Sequence, residues 1–332
     1  MKNFADFDEQ IRILKEDKKL TINDIDNTVF ALRNCGYYEI VNGYKIFLLD
    51  HNAETETFRE GETFEHLASL YNLDKEIKNH VMQATLEIES SLRTALSYAV
   101  AKDFGVYEED YLDRKKYNSG DFIKKYNTFQ RDYLFDMLKE ITAKRKVEPL
   151  ISYRKKHGHI PPWILFKEAT LGNLTNLYKV LKGSQKNAVI SLCTGLDIEL
   201  LTEKDKILFM ETLDLVLAFR NRAAHGSRMF NYRAKRSTSL SYHPKFHPQI
   251  GISPADYRHG KGRSDLYTFF YSMVIFDNKN GHNRLEACLY NILEHSEEYP
   301  EDWEILAMEM GYPKERLKTE LELLKSLINF LK

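Results

Sequence analysis

Residues 203–225 read EKDKILFMETLDLVLAFRNRAAH, and Gly226 follows them. This is the most regular amphipathic stretch of the chain. Its apolar residues return at three- and four-residue steps, as one face of an α-helix requires, and a glycine just past the last periodic residue is a helix stop. Leu213, Val216 and Leu217 anchor the later turns. The helix closes on Arg220-Asn221-Arg222-Ala223-Ala224-His225. Residues four apart share a helix face, so Asn221 lies beneath His225, and Arg220 is displaced by about one residue's rotation. All three project from one broad polar sector, and the small Ala223 and Ala224 leave room for a close partner or substrate.

These side-chain types suit RNA cleavage without a metal. The 2′-oxygen attacks the adjacent phosphorus, an acid or base manages protons, and a cation stabilises the charge growing on the phosphate oxygens. Histidine titrates near neutrality and fits the first task. The fixed donor fork of arginine fits the second. Asparagine can orient the histidine or bond a phosphate without adding charge. Spacing alone is weak support, because Arg-x4-His arises by chance in many chains. Taken by itself it favours a surface cation at Arg220 and a histidine at His225 that complements the helix dipole.

Working outward, the chain reads as helical nearly throughout. Only 8 prolines and 15 glycines punctuate 332 residues, which favours long helices over many short strands. Two short helices are expected within 6–33, a small extended element in the aromatic, turn-rich stretch 35–49, and a long helix over 62–105. Further helices are expected over 127–146, from Pro162 onward, and over 265–276, 283–295 and 314–331. The segment 227–264 holds Pro244, Pro248 and Pro254 with several histidines and few aliphatics, and reads as a long ordered loop or insertion.

Composition bounds the function. Hydrophobic residues make up 43% and charged residues 29%, ordinary for a soluble globular chain. A formal net charge of -1 gives no global basic field, so nucleic-acid binding would need local clusters of cations. Cys35, Cys193 and Cys288 are far apart and odd in number, which suggests neither a disulfide framework nor a zinc site and fits a reducing cytoplasm. No secretory signal and no membrane-length apolar run is evident, so a cytoplasmic protein without membrane contact is expected. No glycine-rich phosphate loop of the nucleotide-triphosphatase type occurs.

The context of the Arg-Asn-x-x-x-His element adds to this. Upstream stand Asn34-Cys35-Gly36-Tyr37-Tyr38, Gly43-Tyr44 and Phe58-Arg59-Glu60-Gly61-Glu62-Thr63-Phe64. Leu70-Tyr71-Asn72-Leu73-Asp74 leads into Ile88-Glu89-Ser90-Ser91-Leu92-Arg93, and Pro162-Trp163 precedes Glu168-Ala169-Thr170-Leu171-Gly172-Asn173-Leu174. In this order, over roughly 34–230, the pieces resemble the Abi (abortive infection) family of AbiD/AbiF type, and the closing element resembles the HEPN nuclease signature. The resemblance implies an all-α protein with a HEPN-like helical bundle core, an N-terminal helical extension and C-terminal helices. It also implies a metal-independent endoribonuclease in phage defence or an RNA-regulated toxin, without cofactor. RNA would be its substrate or bound partner, a homodimer would form a composite cleft from paired motifs, and Arg220, Asn221 and His225 would carry the catalysis. The expected division is 1–60 as the extension, 61–230 as the core, 231–264 as a basic insertion and 265–332 as a helical tail.

Other candidates stand beside ordinary structural readings. Glu89 and Arg93 are four apart and fit a helix-stabilising ion pair first, a brace for the Arg220/His225 site second. Arg228, Arg233, Lys235, Arg236, Lys245, Arg258, Lys261 and Arg263 face a lone acid, Asp256, in 227–264, interspersed with Tyr232, Tyr242, Phe246 and Tyr257. Cations can neutralise phosphates and rings can stack on unpaired bases, so RNA contact and a solvated loop are about equally supported. The clusters 114–117, 124–126 and 154–159 are better read as solvated faces. His243 and His247 lack a supporting ligand set, and no metal is expected there. Two competing functions remain: a non-catalytic module holding a small regulatory RNA, and a helical interaction protein that senses a phage component.

Overall fold

A computed structural model describes residues 4–143 and 148–331. The protein is predominantly α-helical. Among the described residues the only sheet is a two-stranded antiparallel hairpin, Phe122–Ile123 with Thr128–Phe129, turned through left-handed Asn127. No described helix is long and apolar enough to cross a membrane.

The expected helices form with small shifts at their ends. Phe7–Arg12, continued by a π-turn to Asp17, and Ile25–Cys35 make the opening pair. Phe64–Phe104 is the longest helix, and Gln130–Ala143 ends where the described residues stop, so 144–146 of its expected span lie outside them. Pro162 begins the helix Pro162–Leu165, where its missing N–H and fixed φ cost nothing. Leu266–Ser272, Asn280–Glu298 and Lys314–Leu331 complete the anticipated set. Leu150–His157, Leu171–Val180, Gly183–Thr194 and Asp302–Met310 are additional.

The stretch 35–49 narrows one expectation. Most of it folds as a π-turn, Tyr38–Asn42, and a 3-10 turn, Lys45–Phe47, and its extended part is a single antiparallel bridge, Leu49 to Phe58. Its buried residues, Ile40, Val41, Tyr44 and Leu48, return every three or four positions, which a helical turn buries on one side and a strand does not. The segment 227–264 is ordered and more structured than a loop. It contains the short helices Phe246–Gln249 and Pro254–Arg258 over buried Leu240, Phe246, Ile250 and Ile252.

Two compact units do not follow chain order. One gathers Met1–His80, Gly226–Tyr232 and Glu286–Lys332; the other gathers Val81–His225 and Arg233–Leu285. In the first, the start of the long helix packs Phe64, Leu67, Leu70, Leu73 and Ile77 into the core with Leu14, Leu20, Leu32 and Leu48. In the second, Leu208, Phe209, Thr212, Leu213, Leu215, Val216 and Phe219 bury one side of Glu203–Ala224. Phe219 stacks on Phe269 at 4.4 Å, fixing the turn just before Arg220.

Candidate functional site

The helix Glu203–Ala224 is set at its start by a capping box, in which Thr202 accepts from the Asp205 N–H and the Asp205 side chain accepts from the Thr202 N–H. It is tied along its length by Lys179 to Asp214 at 2.6 Å and by Glu211, which accepts from the N–H and the hydroxyl of Ser241, both at 2.6 Å. His225 is the residue at which the helix ends (φ -99°, ψ 14°), and Gly226 follows at φ +74°. A positive φ there is readily available only to glycine, so the stop lies where the sequence put it.

Arg220 is half-buried, and Asn221 and His225 are exposed. The Arg220 guanidinium donates to the Asn221 side-chain oxygen at a long 3.4 Å. Its Nε is buried without a hydrogen-bond partner among the described residues. Among the described residues no carboxylate pairs with Arg220, and no hydrogen bond joins Arg220 or Asn221 to the His225 ring. A buried guanidinium N–H without an acceptor is uncommon, because a donor removed from water normally finds one.

Arg93 pairs with Glu89, and its Nε donates to the Phe166 carbonyl at 2.9 Å. The pair therefore fastens the long helix to the 3-10 turn Phe166–Glu168. Arg93 also lines a groove of about 740 Å³ with Tyr98, Lys102, Trp163 and Lys167. Arg220, Asn221 and His225 are not among its lining residues.

The basic candidates separate by environment. Arg228 is held in structure, donating to the Gly43 carbonyl at 2.6 Å and to Asn231 at 2.9 Å while lying over the rings of Phe47 and Phe230. Arg263 donates to the Tyr257 carbonyl and covers that ring at 4.3 Å. Lys261 is exposed and within 3.3 Å of Asp256. Arg233, Lys235, Arg236, Lys245 and Arg258 are exposed. His243 and His247 are both occupied: His247 Nε2 meets the Gly262 carbonyl at 2.8 Å and its Nδ1 accepts from the His243 N–H at 2.9 Å, while His243 Nδ1 accepts from the Phe246 N–H at 3.1 Å and its Nε2 meets Asp205 at 3.1 Å. Burial holds the His247 pKa below the ordinary value, so the ring is neutral.

Two polar centres in the first unit were not anticipated. Asp74 is fully buried and accepts from the Met229 and Phe230 N–H groups at 2.8 Å and from the Tyr44 hydroxyl at 2.8 Å, with Lys78 Nζ at 3.0 Å. Lys78 also donates to the Gly226 carbonyl. The quoted pieces Gly43-Tyr44 and Leu70–Asp74 thus meet at the segment that follows the catalytic candidates, and their chemistry there is structural. The second centre joins His66, His295 and Asp302. The Nε2 atoms of both histidines reach one Asp302 oxygen, at 2.8 Å and 2.7 Å. Burial works against a charged His66, but the carboxylates of Asp302 and Glu62 on its two ring nitrogens raise its pKa to about 9. Burial likewise opposes a charged Asp302, yet the two histidines hold its pKa at about 2. The sequence signal available for it was Glu62 and His66 four apart at a helix start; the rest of the cluster is 226 to 236 residues away.

Comparison with known proteins matches a family model described as Abi-like protein over residues 30–231. No curated protein and no solved structure matches.

Proposed function

We propose, on the premise that this chain belongs to the Abi-like protein family and so has an abortive-infection-related role, that it is a metal-independent endoribonuclease of the HEPN type. The observation that carries the reading is the unused hydrogen-bonding capacity of Arg220, whose Nε has no acceptor, beside exposed Asn221 and His225 where the helix ends. A phosphate oxygen is the acceptor such a guanidinium lacks. In the proposed reaction the 2′-hydroxyl loses its proton to a base and attacks phosphorus. The P–O5′ bond breaks, an acid protonates the leaving 5′-oxygen, and a 2′,3′-cyclic phosphate and a 5′-hydroxyl result. His225 serves the proton transfers, Arg220 stabilises the phosphorane charge and Asn221 orients one of them. A homodimer brings two such sets together, so that one His225 acts as base and the other as acid.

Recognition of single-stranded RNA is supported by the exposed cations Lys235, Arg236, Lys245 and Arg258. The groove at Trp163 adds support, its lining offering Lys102 and Lys167 and no carboxylate. The same surfaces favour a second reading, a module that holds a regulatory RNA without cutting it.

The deciding test is incubation of single-stranded RNA with the wild type, Arg220→Ala and His225→Ala in excess EDTA, with the ends of the products analysed. The enzyme reading expects 2′,3′-cyclic phosphate ends from the wild type and a loss of about 10²–10⁴-fold in His225→Ala. Bound RNA with no turnover by the wild type selects the second reading.

A further inference from the structure

We propose that His66, His295 and Asp302 form a zinc-binding site. Independent of the ribonuclease reading, it rests on how three buried side chains are held. His66 comes from the start of Phe64–Phe104, His295 from Asn280–Glu298 and Asp302 from Asp302–Met310, and each is at most 8% exposed. Their donor atoms, two Nε2 and one carboxylate oxygen, lie within 4.8 Å of one another.

Two features separate this cluster from an ordinary buried ion pair. Both imidazoles turn the same nitrogen inward, toward one oxygen. Each ring is also gripped from behind at its other nitrogen: His66 Nδ1 by Glu62 Oε2 at 2.8 Å, and His295 Nδ1 by Ser69 Oγ at 2.9 Å. Tyr299 lies flat on the His66 ring, with centroids 3.9 Å apart and an interplanar angle of 1°. A metal-bound histidine needs this outer shell, in which a carboxylate or hydroxyl on the far nitrogen fixes the tautomer and the ring plane.

Size and charge both fit. Zinc bonds of about 2.0–2.1 Å in tetrahedral geometry set neighbouring ligand atoms about 3.3 Å apart. The two Nε2···Oδ2 separations, 2.8 Å and 2.7 Å, therefore open by about half an ångström on binding, and the two Nε2 atoms, within 4.8 Å of each other, close toward the same spacing. Two imidazoles with one carboxylate suit zinc and not the oxygen-seeking magnesium or calcium. The negative charges of Asp302 and Glu62 balance a divalent ion. Binding the ion displaces the proton from any inward Nε2 that carries one, and the far ring nitrogens keep Glu62 and Ser69 as their partners. Water or the second Asp302 oxygen completes the shell. The ion would join three helices.

The test uses the full chain, purified without chelator and without a metal-affinity step. Elemental analysis of the wild type is expected to give about one zinc per chain, and the stripped protein to regain one Zn²⁺ or Co²⁺, the latter with visible absorption bands. His295→Gln and Asp302→Asn should lose the ion, while His157→Ala, at an exposed histidine, should keep it. Glu62→Gln should retain the stoichiometry and lower the affinity about 10–100-fold, the cost of a lost outer-shell partner. Circular dichroism of the variants checks that they fold, and the wild-type measurement stands whether or not they do. A wild type that takes up neither Zn²⁺ nor Co²⁺ in unit stoichiometry overturns the site, as does an ion held equally by His295→Gln and Asp302→Asn.

Discussion

Asp74 and Arg220 are both charged side chains on long helices, and they use their hydrogen-bonding capacity in opposite ways. Asp74 is sealed in and accepts from two backbone N–H groups and a tyrosine hydroxyl, with a lysine beside it. Arg220 is half-buried near a helix end, has one long bond to its neighbour and keeps a buried donor with no acceptor. A saturated charge holds the chain together, and on the proposed reading an unsaturated one is left for a ligand. Both lie within the family match, so position in a motif does not by itself distinguish the two roles.

The largest effect should come from Asp74→Ala. It strands the Met229 and Phe230 N–H groups, the Tyr44 hydroxyl and Lys78, and should lower stability by about 3–5 kcal/mol, read from the urea midpoint. Arg220→Ala should move that midpoint by less than about 1 kcal/mol while removing cleavage. A reversal, with Arg220 costly to stability and Asp74 neutral, breaks the comparison.

Gly262 tests whether the basic segment acts as a folded element. Its φ is +68°, and a Cβ there would lie 2.9 Å from Ile252 Cγ2 and 3.1 Å from His247 Cδ2. Gly262→Ala should cost about 1–3 kcal/mol through crowding in addition to the backbone strain. If Lys245 and Arg258 meet RNA from this scaffold, the same substitution weakens binding of a single-stranded oligonucleotide. Unchanged binding would assign them to a solvated face.

A smaller effect is expected from pH. Buried His247 is neutral, donating from Nε2 to Gly262 and accepting at Nδ1 from His243, with the Tyr242 and Tyr257 rings against it. Its folded pKa lies below the ordinary 6.5, so the unfolded chain binds the proton more readily. The stability it contributes is full above about pH 6.5 and is lost as pH falls from there toward the lowered folded value. Thermal unfolding followed from pH 7.5 to 5 should show a decline in the wild type that His247→Gln lacks. Equal slopes would remove His247 as the cause.

Much of the helical framework was legible because burial and helix period coincide, as in Glu203–Ala224 and Lys314–Leu331. The hairpin at Phe122 and Thr128 was not, since two-residue strands are too short to show alternation. The turns at 38–47 are hard to read because aromatic residues and glycines suggest extended chain, which here is confined to the Leu49–Phe58 bridge. Arg220, Asn221 and His225 stand out in the sequence as candidates because they are local, within five residues at the end of one helix. The Asp74 and His66 centres could not, since their partners lie 155 and 236 residues away and only folding brings them together.

The smallest expected effect lies at the other end of the motif helix. Thr202 Oγ1 accepts from the Asp205 N–H at 3.2 Å, Asp205 Oδ2 accepts from the Thr202 N–H at 2.9 Å, and the second Asp205 oxygen meets His243 Nε2 at 3.1 Å. Thr202→Ala removes one half of the reciprocal cap and should cost about 1 kcal/mol, while Thr202→Ser should cost little. Five turns separate this cap from Arg220, and Phe219 on Phe269 fixes the last turn independently. Cleavage by Thr202→Ala should therefore stay within about twofold of wild type at temperatures where the variant is folded, since a cap acts on its own end of the helix. A loss of cleavage far beyond the loss of stability would mean that the orientation of Arg220 and His225 depends on the whole helix as a rigid lever, and the sharp division between structural and reactive charges would have to be given up.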